Sequence, residues 1–335
     1  RCYSPPVTQA AAEALERAAK WAEAGDAWKS LAEKAVKSGH RDAADLAARA
    51  ADAFRRDDRP AAAARMIRLA LTLRPATVSD AAQLAGALAD AGEIEAAADI
   101  AAAAVAGADE PAGRALALDV ATGTSLSAGR VKLARGFAAE LERSSLAGAQ
   151  MAATFRRAQL ARLDGDLRYA TSAWRALVGQ LAPHPAAAGA LAAAWMELGE
   201  TAVLRASCRA AGVSWYAGQD DPSDLEGAEA EANFRAAAAA WTRAGRRAGL
   251  FRAEAWKLRV RSVQPTISTA IDTAIGYAHE RGLVSLEAEL RGLRAVVRRD
   301  PLDALHAVEL ARQAPLARGR ARVIAGELGG RFDSA

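Results

Sequence analysis

The densest run of like charge in the chain is a basic segment, and it is the first candidate for chemistry. Across residues 243–261 a single carboxylate, Glu254, opposes seven cations. Such a cluster attracts phosphates or an acidic protein, and the affinity falls as salt rises. The same cations could equally balance the acidic residues that precede them or solvate a helical hairpin. The seven are Arg243, Arg246, Arg247, Arg252, Lys257, Arg259 and Arg261.

An acidic segment, Asp220 to Glu231, is the second candidate, with six carboxylates and no basic residue. Its spacing lacks the central Gly and terminal Glu of a calcium loop. Negative charge at a helix N-terminus is itself favourable. We therefore favour a solvated loop over residues 216–223 that leads into a helix, rather than a cation site, and we expect the preceding Trp215 and Tyr216 to pack on the helices beneath.

Nucleophiles and metal ligands are sparse and isolated. Cys208 has no nearby histidine in the sequence and falls at a position predicted to be buried, which favours a small apolar role over a nucleophile. The four histidines show no paired helical spacing for zinc. Glycine-rich phosphate loops, dinucleotide fingerprints and nucleophile elbows are missing. The sequence predicts no catalytic residue, metal or cofactor, and a protein that is not an enzyme.

The elements that would position these residues are helices repeated at a fixed period. A small or turn-forming residue recurs at spacings of 33, 34, 37, 36, 34 and 46 in an alanine-rich background. A period near 34 is typical of stacked helical hairpins, each of which is stable only against its neighbours. The recurring residues are Gly25, Asp58, Gly92, Gly129, Gly165, Gly199 and Gly245.

Apolar positions within each unit recur at i, i+3, i+4 and i+7, which is one face of a helix. One unit carries Ala47, Ala50, Phe54 and a terminal Pro75, and the frame returns at Ala158, Gly165, Trp174 and Pro183. These units resemble the tetratricopeptide repeat, which has small residues at its eighth and twentieth positions, a large ring at the eleventh and a proline near its end. The resemblance covers about two-thirds of the chain.

The predicted fold is all-α, a right-handed superhelix of eight to nine helical hairpins. Residues 1–7 form an extended segment, 8–215 hold repeats, 216–223 are the acidic insertion loop, and 224–335 continue the repeats to a C-terminal cap. The stretch from Thr122 to Gly129 is rich in Gly and Ser and is predicted to lengthen one connection.

The resemblance also implies a partner site, because the first helix of each unit lines a concave groove in that family. Small residues, namely Ala82, Gly86, Ala89, Gly189 and Ala193, would let a helix or an extended segment approach closely. A carboxylate clamp built on paired asparagines is excluded, since Asn233 is the only asparagine. The predicted contact residues are Arg55, Arg56, Phe155, Gln159, Arg162, Met196, Arg235 and Arg243.

The leading hypothesis is a non-catalytic scaffold or adaptor that binds a protein segment in this groove or sits in a larger assembly. One alternative is a helical-repeat protein that binds RNA through the basic segment. Another is an envelope-assembly lipoprotein anchored through Cys2, which would place it in a bacterial envelope. No stretch approaches the roughly 20 apolar residues of a membrane span.

Overall fold

A computed structural model describes residues 8–210, 223–260, 265–298 and 305–307. These residues form fifteen α-helices and a 3-10 turn, Pro185–Ala187, with no strand among them, which confirms the all-α prediction. The helices are α1 Gln9–Arg17, α2 Trp21–Lys37, α3 Ala43–Arg56, α4 Pro60–Leu73, α5 Val78–Asp90, α6 Ile94–Ala106, α7 Pro111–Ser127, α8 Val131–Leu141, α9 Ala147–Leu163, α10 Leu167–Leu181, α11 Ala188–Ala210, α12 Ser223–Arg243, α13 Arg247–Val260, α14 Pro265–Arg281 and α15 Val284–Arg298. The N-terminal segment, Cys2, the loop residues 216–222, Trp215 and the Cys208 side chain lie outside this description, as do most of the C-terminal cap.

Hairpin turns occur at five of the seven predicted positions. Gly92, Gly129, Gly165 and Gly245 have φ between +67° and +88°, and Asp58 has φ of +55°. Glycine adopts this left-handed region without steric cost, and aspartate tolerates it better than most residues. The turn spacing read from the sequence therefore located real helix ends.

Gly25 and Gly199 are not turns, and the prediction was wrong at both. Gly25 lies inside α2, where an added Cβ would sit 2.6 Å from Cδ1 of Phe54. Gly199 lies inside α11, 2.5 Å by the same measure from Cε1 of Phe234. Both positions require glycine because an aromatic ring of a neighbouring helix packs directly on the backbone there.

The predicted long connection at residues 122–129 is also wrong, because α7 continues to Ser127. The hydroxyls of Thr122, Thr124 and Ser127 donate to carbonyl oxygens four residues earlier, at distances of 2.7–2.9 Å. Internal hydrogen bonds of this kind let threonine and serine sit in a helix without exposing unmet polar groups.

Alanine supplies most of the core, with single large residues as wedges. Trp174 and Phe54 are buried at 0% and 1% exposure. Among the odd-numbered helices, α5 packs on α7, α7 on α9, and α13 on α15. The surface that the odd-numbered helices present is called the odd-helix face below. The superhelix and its handedness stay predictions.

Candidate interaction face

The predicted contact residues on α9 lie on the odd-helix face but bind within the chain. The Arg162 guanidinium lies 2.5 Å from the Glu197 carboxylate and 3.5 Å from that of Glu200. Gln159 donates its amide to Glu197 at 3.0 Å. Phe155 packs edge-on against Trp174, with ring centroids 4.6 Å apart. These side chains are therefore already occupied in the free chain.

Met196 does not face a groove and is corrected as a contact residue. It is 1% exposed and packs in the core with Ala202 and Phe234. The tetratricopeptide frame placed it on the first-helix surface, but α11 runs unbroken from 188 to 210 instead of turning at Gly199. The helix that carries Met196 therefore does not follow the repeat frame.

A continuous row of ion pairs crosses five odd-numbered helices, and we call it the ladder. Asp119 on α7 accepts from Arg156 on α9 at 2.7 Å, and Arg252 on α13 binds Glu200 at 2.6 Å and Glu289 at 2.8 Å. Trp256 donates its indole N–H to the same Glu289 at 2.6 Å. The ladder consists of Asp119, Arg156, Gln159, Arg162, Glu197, Glu200, Arg252, Trp256 and Glu289.

Ladder partners are separated by about one repeat. The separations are 37 residues for Asp119 and Arg156, 38 for Gln159 and Glu197, and 37 for Arg252 and Glu289. These three bonds join successive odd-numbered helices about one repeat apart, whereas Arg252 and Glu200 are 52 residues apart because the 216–223 segment lies between them. The sequence reading missed this row, although a carboxylate one period away from an arginine is a signal that could have found it.

The ladder is buried and electrostatically matched. Side-chain exposure is 8% for Glu197, 7% for Glu200 and 5% for Glu289. Burial lowers the pKa of the Arg252 guanidinium, but Glu289 and Glu200 outweigh it, so the pKa of Arg252 is raised. A charge held this way fixes the geometry of its neighbours and is not available to a ligand.

Arg55 on α3 reaches α5 of the odd-helix face at Gly86 and differs from the ladder arginines. It is partly buried, its Nε has no hydrogen-bond partner, and no carboxylate of the described chain forms an ion pair with it. Its Nη2 lies 3.7 Å from where a Cβ on Gly86 would be. Desolvation lowers the pKa of Arg55, and the positive charge of Arg246 adds to the effect. Arg55 is thus a cation without a matched internal partner.

Asp90, at the C-terminal end of α5, is the carboxylate that Arg55 senses most strongly. Water reaches its side chain, yet desolvation by the surrounding protein raises the pKa of Asp90 against the opposing effects of Arg246 and Arg55. Arg55, Gly86 and Asp90 together are called the Arg55 site below.

The small residues that were predicted to let a segment approach closely make separate contacts within the chain. Gly86 faces Arg55, and the Ala89 carbonyl accepts from the Ser285 hydroxyl at 3.3 Å. Gly189 lies beneath Trp241, whose ring is 3.9 Å from a Cβ built on that glycine. These small residues therefore serve helix packing as much as ligand approach.

The three remaining predicted residues are exposed arginines at helix surfaces. Arg56 pairs with Asp52 at 2.9 Å and stacks over Trp21, while Arg235 pairs with Glu231 at 2.6 Å. Arg243 is exposed at the end of α12, with no ion pair to any residue that the structure describes. Only Arg243 among the three is left without a carboxylate.

Most of the described basic segment is engaged internally. Arg246 lies 3.5 Å from Asp58, and Lys257 pairs with Glu254. Arg247 stacks over Tyr277 with 5.2 Å between its guanidinium carbon and the ring centroid. Arg252 belongs to the ladder, and the side chains of Arg259 and Arg261 lie outside the description. Little of the segment's charge is left to bind phosphates.

Other chemistry is scarce in the part of the chain that the structure covers. Within it, no three His, Cys, Asp or Glu side chains are grouped so as to hold a metal ion. Of the acidic segment, Glu229 pairs with Arg175 at 2.7 Å. None of the described helices is both long and apolar enough to cross a bilayer.

Comparison of the chain with protein-family models and with curated proteins found no match.

Proposed function

We propose that the chain is a non-catalytic interaction scaffold of the tetratricopeptide-like kind, which binds a protein segment on its odd-helix face at the Arg55 site. The observation that carries the proposal is the contrast along this face. The ladder arginines Arg156, Arg162 and Arg252 all have carboxylate partners, whereas Arg55 has none.

The cost of burying Arg55 supports a partner of complementary charge. A desolvated charge without a partner is unfavourable in the free chain, and an incoming acceptor removes that penalty. The planar guanidinium favours a carboxylate, which it binds with two parallel hydrogen bonds. We therefore expect the bound segment to present a carboxylate to Arg55.

The ladder supports the same proposal in a different way. Matched ion pairs across α7 to α15 fix the relative positions of these helices before any partner arrives. A preorganised surface loses less entropy on binding than a mobile one. Affinity would then come from a few anchors, with Arg55 at their centre.

The test compares Arg55→Gln with Arg56→Gln in affinity capture from the native source, read by quantitative mass spectrometry. Arg56 is the matched control because it is adjacent, exposed and paired with Asp52 on its own helix. We expect one set of proteins to be captured by the wild type and by Arg56→Gln, and lost with Arg55→Gln. Equal capture by all three, or no specific capture by the wild type, would contradict the proposal. Arg162 is unsuitable for this test because its loss would uncover Glu197 and Glu200.

A further inference from the structure

Hairpin tips from the two ends of the chain meet at a polar contact, called the seam below. The Asp58 carboxylate accepts from the Ala248 N–H at 2.8 Å and from the Tyr277 hydroxyl at 2.9 Å. Arg281 donates to the Asp57 carbonyl at 2.7 Å and to its carboxylate at 2.6 Å. The α3–α4 turn thus binds residues 190 to 224 positions further along the chain.

A second pair of tips extends the seam to the α5–α6 turn. The Ser285 hydroxyl donates to the Ala89 carbonyl, and Val284 packs on Gly92, with its Cβ 3.0 Å from where a glycine Cβ would lie. Gly92 has φ of +88°, so this approach depends on glycine for both shape and space. The α14–α15 hairpin therefore packs on the α5–α6 hairpin.

The seam is polar, in contrast with the rest of the packing. One buried apolar cluster runs from Ala12 to Ala153 and another from Met196 to Leu293, and no described cluster has members on both sides of the seam. Interfaces that are small and polar commonly permit relative motion of the parts they join. The seam is thus held mainly by hydrogen bonds and ion pairs, with Val284 on Gly92 as an apolar contact.

We propose that the seam is a reversible latch, which opens to let a partner segment reach the Arg55 site and closes over it. The two arms are α3–α6 and α12–α15. The entry of a partner segment rests on the proposed function. The opening of the seam, in contrast, is a property of the free chain.

The position of the seam connects it to the Arg55 site. Arg246 pairs with Asp58 in the seam, and its charge is also felt by both Arg55 and Asp90. Seam contacts also adjoin the site in the structure, because Asp58 and Ala89 lie three residues after Arg55 and Gly86, respectively. Opening the seam therefore removes this second cation from the face. Latch and site are therefore electrostatically coupled.

The experiment measures opening in the full chain without a ligand. The variant Tyr277→Phe/Arg281→Gln removes the hydroxyl and the guanidinium that α14 contributes to the seam. In this variant, hydrogen exchange measures the protection of the Ala248 amide, and X-ray scattering measures the radius of gyration. The Ala248 amide lies in the first turn of α13, where helical partners are lacking, so its protection reports directly on the Asp58 contact. We expect its exchange to accelerate on the order of tenfold, the radius of gyration to rise, and helix content to stay constant.

The matched control is Tyr169→Phe/Arg157→Gln, which removes the same two groups away from the seam. Arg157 stacks over Tyr169 and pairs with Glu142, whose side chain is 37% exposed, so its loss uncovers no buried charge. The control should exchange like the wild type. Unchanged exchange and radius in the seam variant would overturn the latch, and so would loss of helix throughout the chain, since the seam would then belong to one cooperative core. None of these readouts depends on capture by Arg55, so the latch and the proposed function fail separately.

Discussion

The ladder and the Arg55 site lie on the same odd-helix face and use the same residue type in opposite ways. In the ladder, each arginine meets carboxylates on a neighbouring odd-numbered helix. At the Arg55 site, Asp90 has the largest effect of any carboxylate on Arg55 but forms no ion pair with it, and desolvation acts against both charges. Under the proposed function, the ladder builds the scaffold and the Arg55 site is left for a partner.

The largest effect is expected from breaking the ladder at Arg162. Arg162→Gln leaves Glu197 and Glu200 with less compensation in a buried site, so the free energy of unfolding should fall by about 3 kcal/mol. Urea denaturation followed by circular dichroism measures it. Arg157→Gln is the control, because its pair with Glu142 is half exposed at 51% and should contribute less than about 1 kcal/mol. Equal effects of the two substitutions would show that the ladder stabilises the fold no more than exposed ion pairs do.

A methyl group at Gly199 should have the next largest effect. Gly199→Ala forces the buried Phe234 ring to move, and overpacking of this kind costs about 2 kcal/mol. Gly136→Ala is the control, since a Cβ there meets nothing within 4 Å inside α8. Thermal unfolding should show a lower melting temperature for the first variant and an equal or higher one for the second. Tolerance of alanine at Gly199 would argue for a flexible break in α11.

The two carboxylates at opposite ends of α5 should give opposite pH dependence. Burial raises the pKa of Asp80, but hydrogen bonds from Arg74 and Thr77 outweigh it and the pKa is lowered. Its stabilisation is therefore present above the unfolded pKa near about 4 and is lost as pH falls through the folded value. Asp80→Asn should lower the melting temperature at pH 7 by an amount that shrinks toward pH 3.

Asp90 is the comparison for this experiment, because its pKa is raised. Its stabilisation is present below the unfolded pKa and is lost as pH rises through the folded value. Asp90→Asn should therefore leave the melting temperature at pH 7 unchanged or higher. The same pH trend for both variants would contradict the assignment of two environments.

The smallest effect is expected for nucleic acid. Because the described cations of the basic segment mostly have internal partners, single-stranded RNA should bind no tighter than about 0.1 mM at physiological salt. Fluorescence anisotropy of a labelled oligonucleotide measures this, with Arg243→Gln as the variant that removes the unpaired cation. Tight, salt-dependent binding would favour the RNA-binding alternative over the scaffold.

The repeat period predicted the helices and most turns, because a turn with positive φ favours glycine, or less often aspartate, at one position. It failed at Gly25 and Gly199, since a glycine can be required by a turn or by an approaching ring, and only the fold decides which. The frame also placed Met196 on the surface, because it assumed a turn at Gly199. Arg162 was predicted on the correct face, but it was expected to bind a partner, whereas it pairs with Glu197 and Glu200.

The seam and the Arg55 site could not be predicted from the sequence. The seam joins residues 190 to 224 positions apart, far beyond any periodic signal. Asp58 occupies a position that is glycine in the other repeats, but its carboxylate gains a role only when α13 and α14 return to it. Likewise, the lack of a partner for Arg55 depends on where every nearby carboxylate points.

The free energy of unfolding of Arg55→Gln, compared with Arg162→Gln in the same urea titration, tests the division of this face most directly. If Arg55 is a partly buried cation kept for a partner, Arg55→Gln will be as stable as the wild type or more stable, while Arg162→Gln will be strongly destabilised. A loss of more than about 1 kcal/mol in Arg55→Gln would show that Arg55 supports the fold, and the account would be contradicted.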